Sequence, residues 1–150
     1  MSEKSYLMIV NVQVAICDGP NYLLIRRGPG VSHLPGILDI PGGKAEFPES
    51  ADLLLEETAR REIQEEVGLE LGPELVYLTS AGFTVPAGTQ VANIVFLAPY
   101  PGGTPFISQP EEIAAISWHP FEELIASPAI QPWTRGYLGL AEARRQLLGW

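Results

Sequence analysis

The order of elements legible in the 150 residues predicts an α+β fold, in which a mixed sheet lies between helical layers. Three observations carry that prediction. Two apolar, strand-like runs joined by a turn open the chain. A long run of helix formers without internal Gly or Pro follows and stops at a glycine. Three more strand-like runs then precede two helical segments. With no internal repeat, low-complexity tract or linker, residues 1–150 read as a single domain, long enough to bury its own core.

Each element has its own signal. Ile9 to Cys17 alternates β-branched residues with shorter or polar ones, Asp18-Gly19-Pro20-Asn21 interrupts it, and Tyr22 to Arg26 resumes, which reads as a β-hairpin. The stretch from Arg27 to Gly36, RGPGVSHLPG, is punctuated as a loop, and Ile37 to Ile40 as a short strand. Pro41-Gly42-Gly43 marks a sharp turn or a close approach of the backbone to another group. Ser50 is placed to cap a helix from Ala51 to Val67, which Gly68 ends. Glu74–Ala81, Val91–Leu97 and Ile113–Trp118 have strand composition, and Phe121–Ala126 and Trp133–Leu148 read as helices. The last is amphipathic, with Leu138, Leu140, Leu147 and Leu148 on or near one side, and both packing on the sheet and a homodimer interface are open for it.

Composition narrows the function. Nine Lys and Arg stand against eighteen Asp and Glu, a net charge of −9, and no long basic stretch exists to track a phosphate backbone. Duplex nucleic acid is therefore excluded as the main partner. No run approaches the roughly eighteen apolar residues that span a bilayer, so the chain reads as having no membrane partner. Its one cysteine, Cys17, lies in an apolar run and reads as a buried thiol in a reducing, cytoplasmic setting.

The acids are not spread evenly. Ten of the eighteen, from Glu46 to Glu74, fall in the central helix and its flanks. Glu62, Glu65 and Glu66 stand at i, i+3 and i+4, so their carboxylates leave one helix face as neighbours and repel one another. Hard cations such as Mg²⁺ or Mn²⁺ would compensate that repulsion; a solvated acidic face is the plainer reading. Arg61 can pair with Glu57 or Glu65, while Ile63 and Val67 give the helix an apolar stripe for the core.

Together these residues resemble the signature of the Nudix hydrolase family, G-x5-E-x7-R-E-U-x-E-E-x-G-U with U a bulky aliphatic. Gly43 is followed by five residues and Glu49. Arg61-Glu62-Ile63-Gln64-Glu65-Glu66-Val67-Gly68-Leu69 matches the entire second half. Between them, Ser50 to Arg60 is eleven residues where the pattern has seven. Four extra residues make either about 1.1 helical turns, about 6 Å of rise, or a bulge around Phe47 to Asp52. In the first case Glu49, which in the family braces the box arginine, is displaced and Glu57 becomes the partner of Arg61.

The resemblance implies a Nudix-like α/β/α sandwich and Mg²⁺-dependent hydrolysis of a nucleoside diphosphate linked to another moiety, with Mn²⁺ as a substitute. It implies Gly43, Glu62, Glu65 and Glu66 as the metal set, and Arg61 with the three glutamates as the catalytic group. One of these glutamates, or Glu111 or Glu112 in the loop after Pro110, would serve as general base. Arg26, Arg27, Glu46 and Glu112 are candidates for contacting a small-molecule nucleotide, solvation being the alternative for each. Nucleoside triphosphates, ADP-ribose and nucleotide sugars are all open as substrates. The altered box spacing also admits a non-catalytic nucleotide- or metal-binding module on the same fold.

Overall fold

The structure, a computed structural model, describes residues 4–47 and 52–150. The expected hairpin forms between β1 (Ile9–Asp18) and β2 (Asn21–Arg27), turning through Gly19 at φ 56° and Pro20. A positive-φ glycine at the first turn position matches the twist of the strands it joins. The two strands pair only at Cys17–Tyr22 and Asp18–Asn21, then part. β2 goes on to pair with β3 (Leu38–Asp39) and β7 (Ile113–Pro120). β1 takes β4 (Gly42–Lys44) antiparallel in the gap and β6 (Gln90–Pro99) parallel along its length, and β5 (Val76–Thr84) closes the far edge. The mixed sheet expected of an α+β fold is thus present, and of the two readings of Pro41-Gly42-Gly43 the sharp turn is replaced by strand β4 while the close approach of the backbone is what the glycines make.

Alternation along β1 divides the core. Val12, Val14 and Ile16 face α1 (Leu54–Val67) with Ala59, Ile63 and Val67. Ala15 and Cys17 face the other way, with Leu124 of α2 (Phe121–Ala126) and Tyr137, Leu138 and Ala141 of α3 (Pro132–Leu148). Helices therefore cover both faces of the sheet. Cys17 is buried, as expected, and burial lifts its thiol pKa to about 11.

Two helix expectations need correction. α1 starts at Leu54 rather than Ala51: Asp52 and Leu53 are not helical, and Leu53 sits at φ 56°, in the left-handed region, which a right-handed helix cannot continue through. The added residues are therefore not used to lengthen the helix immediately before Leu54. Glu49 and the Ser50 cap lie outside the described residues. In α3, Leu138 alone of the four expected leucines is buried; Leu140, Leu147 and Leu148 are exposed, and Thr134, Tyr137, Ala141 and Glu142 complete the packed face. Trp118 packs as expected, edge-on to Tyr100 with ring centroids 5.1 Å apart. Among the described residues no helix is long and apolar enough to cross a membrane.

Candidate active site

β4 and α1 meet where the sequence concentrates its acids. Gly43 lies against Glu62: a Cβ built on Gly43 would stand 2.1 Å from Oε2 of that carboxylate. One helical turn on, the carboxylate of Glu66 accepts the N–H of Gly42. Gly42 in turn lies so close to β1 that a Cβ on it would stand 2.0 Å from the Val12 carbonyl oxygen. At Gly42 a Cβ would meet strand backbone and glycine is required, whereas at Gly43 it would meet only the end of the Glu62 side chain.

Burial raises the pKa of both carboxyls. For Glu66 it pushes the value from 4.5 to about 8, with repulsion from Glu62 adding to it and the Gly42 N–H opposing it. Glu62 is raised chiefly by burial, against the pull of Arg61. These half-buried carboxyls stand close together, with Arg61 paired, of the two, to Glu62 alone, and hard oxygens facing one wall are the chemistry a divalent cation requires.

Arg61 organises the outer part. Its Nη1 donates to Glu62 Oε1 at 2.8 Å and Glu65 Oε2 at 3.1 Å, and its Nη2 to the Lys44 carbonyl at 2.8 Å. Glu46 Oε1 lies 4.0 Å from the same Nη1. Among the described residues these, and not Glu57, are its partners. Glu65 itself is exposed. With Glu62 and Glu65 both bent toward Arg61, no three His, Cys, Asp or Glu side chains among the described residues converge on one point close enough to hold an ion.

The other candidates take different places. Arg26 Nη1 donates to the Gly36 carbonyl at 2.7 Å and Arg27 Nε to the His33 carbonyl at 2.8 Å, so both guanidinium groups brace the glycine-rich loop. Arg27 also lowers the pKa of Glu66 and of Asp39 by its charge, which places it within electrostatic reach of the site. Glu111 and Glu112 are exposed, and their turn is held by backbone: Gly28 N–H donates to the Glu112 carbonyl at 2.7 Å and Gly30 N–H to the Glu111 carbonyl at 2.8 Å. Ser108 Oγ donates to the Glu65 carbonyl at 2.8 Å, tying the same loop to α1.

Sequence reasoning missed Asp39. It stands at the end of β3, three residues before Gly42, and its Oδ1 accepts from Gln13 Nε2 at 3.1 Å, the Ile40 N–H at 2.8 Å and Thr134 Oγ1 at 3.2 Å. Burial raises its pKa, opposed by the Ile40 N–H, by Arg27 and by its side-chain donors. The available signal was Asn11 and Gln13, two amides at a spacing of two in an otherwise apolar strand, which mark one polar strip on a buried face.

Residues 8–139 match the NUDIX domain, a span that includes the glycine strand, the carboxylate helix and both loops. The chain belongs to the Nudix family. A Nudix hydrolase called NudL from Yersinia enterocolitica, itself uncharacterised, is 32% identical over 124 residues, which are 83% of this chain and 61% of that protein. An 8-oxo-dGTP diphosphatase from Proteus vulgaris is 39% identical over 56 residues, 37% of this chain and 46% of that protein. The crystal structure of a MutT NUDIX hydrolase from Burkholderia pseudomallei superposes with a TM-score of 0.76 at 26% identity, covering 89% of this chain and 98% of that one. The chain thus spans about three fifths of the Yersinia Nudix relative and about half of the Proteus one. The α/β/α sandwich expected from the resemblance is the fold these neighbours share.

Proposed function

We propose that this Nudix chain is a Mg²⁺-dependent pyrophosphohydrolase that cleaves the diphosphate linkage of a nucleoside diphosphate joined to another moiety. The observation that carries the reading is the pairing of Glu62 with Gly43 and of Glu66 with the Gly42 N–H, which sets two half-buried carboxylates against bare backbone. Glu62 and Glu66, with Glu65 and the Gly43 carbonyl, are the groups that would hold the cation; Mn²⁺ offers the same hard-ligand chemistry. Such an ion, when bound, neutralises phosphate charge, polarises the P–O bonds and lowers the pKa of a bound water.

The chain's own residues supply the rest. Arg61 fixes the outer carboxylates and, through the Lys44 carbonyl, the end of β4. Gly42 and Gly43 let the backbone of β4 lie directly against the acids. Glu112, or Glu111 beside it, is carried on a turn anchored to α1 through Ser108 and is offered as the general base alongside the box glutamates. The hydrolytic names of the two sequence relatives support this class of reaction. The small-molecule nucleotide partner and a cytoplasmic setting belong to the same proposal.

Release of phosphate or pyrophosphate from nucleoside triphosphates, ADP-ribose, nucleotide sugars and dinucleoside polyphosphates, each with Mg²⁺ and with Mn²⁺, tests it. Turnover with at least one of them that disappears in Glu65→Gln and Glu66→Gln variants of unchanged fold is the expected result. The engagement of both Glu62 and Glu65 by Arg61 favours a second reading, a nucleotide- or metal-binding module without turnover. Steady product formation eliminates that reading.

A further inference from the structure

We propose that the exposed flank of α3, together with the free edge of β5, is the interface of a two-fold homodimer in which α3 packs antiparallel on α3 of a second copy. None of these residues lies on β4 or α1, so the interface stands or falls independently of the hydrolase reading.

α3 leaves an apolar seam uncovered. Its packed face is Thr134, Tyr137, Leu138, Ala141 and Glu142. Trp133, Leu140 and Leu147 recur every seven residues, close to two helical turns, and so form one line along the side of the helix. They are 49%, 49% and 84% exposed, and Leu148 beside them is exposed as well. Together they present about 400 Å² of apolar surface in one strip, the scale at which an exposed patch marks an interaction site.

The opposite flank of α3 is occupied. Arg135 Nη2 donates to the Ser127 and Ile130 carbonyls at 3.1 and 3.2 Å, and Glu142 and Gln146 border Phe121 and Ile125 of α2. α2 lies over β2, with the Phe121 ring edge-on to Tyr22. The seam therefore faces the other way along the sheet, toward β5, the last strand in the order. Among the described residues β5 pairs only with β6, which leaves its outer edge free. Val76–Thr84 holds no charge and no proline, and of the usual guards against edge pairing it has only the register shift between Tyr77 and Thr79.

Symmetry and charge select a second copy as the occupant. A two-fold axis at Leu140 sets that residue against itself, Trp133 against Leu147 of the second copy, and Gly136 against Arg144 of the second copy. Large side chains then meet along the seam, and the Arg144 stem crosses the gap that Gly136 leaves. The chain carries a net charge of −9, so most of its surface repels a copy of itself. Neither the seam nor β5 includes a carboxylate, and Glu142 is spent on Arg145. An anionic membrane meets the same net repulsion, with Arg144 alone beside the seam to oppose it. Two seams bury about 800 Å², and about 400 Å² more from the paired edges brings the contact to the roughly 1,200 Å² at which stable interfaces begin.

Sedimentation of the full chain between about 1 and 100 µM, the range in which such an interface saturates, tests the dimer. A species of twice the 16.3 kDa chain mass is expected. Leu140→Glu sets like charges face to face and should raise the dimer dissociation constant about 100-fold or more, with the fold checked by circular dichroism. Leu140→Lys should do the same. An equimolar mixture of the two variants should restore the dimer, because only a two-fold axis at Leu140 brings that position against itself. Should either fail to fold, Leu147→Glu and Trp133→Lys serve in the same way, each weakening the dimer alone and restoring it when mixed. A 16.3 kDa monomer throughout, a dimer indifferent to these substitutions, or mixtures that stay monomeric overturns the proposal. So does a monomer that binds phosphatidylcholine vesicles through the same leucines, which gives the flank to a lipid surface instead.

Discussion

The carboxylate of Glu62 occupies the space that any side chain on Gly43 would need, with Oε2 2.1 Å from where a Cβ would lie. Gly42 is equally confined, but by the Val12 carbonyl oxygen at 2.0 Å. A flexible side-chain end can yield; a strand backbone cannot. Two adjacent glycines should therefore fail in opposite ways.

Gly43→Ala is expected to keep its fold, with melting within a few degrees of wild type, because Glu62 swings aside. Turnover should fall by roughly 100-fold or more, since a ligand moved by an ångström is no longer in place. Gly42→Ala is expected to lose about 3 kcal/mol of stability, or not fold, because β1 and β4 must separate. Urea unfolding and turnover measured on the same two proteins decide it. A Gly43→Ala enzyme with normal activity would falsify the placement of Glu62 in the site.

The raised pKa of Glu66 makes the metal-free protein sensitive to alkali. Its carboxyl holds a proton up to about pH 8 in the folded state and loses it near 4.5 in the unfolded one. Between those values the folded state binds more protons, so this group's contribution to stability declines as pH rises. Thermal melts across pH 5 to pH 9 should show the decline without Mg²⁺, and a smaller one in Glu66→Gln. Added Mg²⁺ should raise the melting temperature more at the alkaline end, where the cation no longer competes with a proton.

Arg61 spans two carboxylates and a carbonyl with one planar fork, which a lysine cannot reproduce. Arg61→Lys should lower kcat by about tenfold to 100-fold while costing no more than about 1 kcal/mol of stability, as expected of a partly exposed ion pair. Activity assays against chemical unfolding separate the two effects. Equal losses in both would make Arg61 a brace for the fold rather than for the site.

On the opposite side of the sheet, Tyr22, fully buried, donates to Glu142 Oε1 at 2.9 Å, and Glu142 is held by Arg145 Nε at 2.7 Å. Tyr22→Phe should cost about 1 to 2 kcal/mol, since it leaves one hydrogen bond of a carboxylate unmade, and turnover should be unchanged. Arg145 in the first place, and Tyr22 with it, hold the Glu142 carboxyl below its ordinary 4.5, so this contribution is full above that value and is lost as pH falls through the depressed one. Acid unfolding of wild type and Glu142→Gln measures it.

What was legible in the chain follows from how local each signal is. The box residues from Arg61 to Leu69 lie on one helix, where spacing alone sets which side chains share a face, so Glu62, Glu65 and Glu66 could be grouped without a structure. The hairpin turn and the Gly68 helix stop are equally local. The start of α1 was not, because Leu53 takes a left-handed conformation that its residue type does not announce. Leu140, Leu147 and Leu148 were misplaced because an apolar residue shows no preference between a covered face and an exposed one until its neighbours are known.

The sequence by itself determined the α+β order of elements, the acidic helix and the membership that its nine-residue run foretold. Only the tertiary structure decided that β1 and β2 part after two pairs so that Gly42–Lys44 can enter the sheet. The same arrangement turns Glu62 and Glu65 to Arg61 and joins Asn11, Gln13 and Asn93 to Asp39. The physical reason is range. Periodicity and turn chemistry act over a few residues and are written in the chain, whereas a contact between residues 80 apart, such as Asn93 with Gln13, exists only once the sheet has set its register.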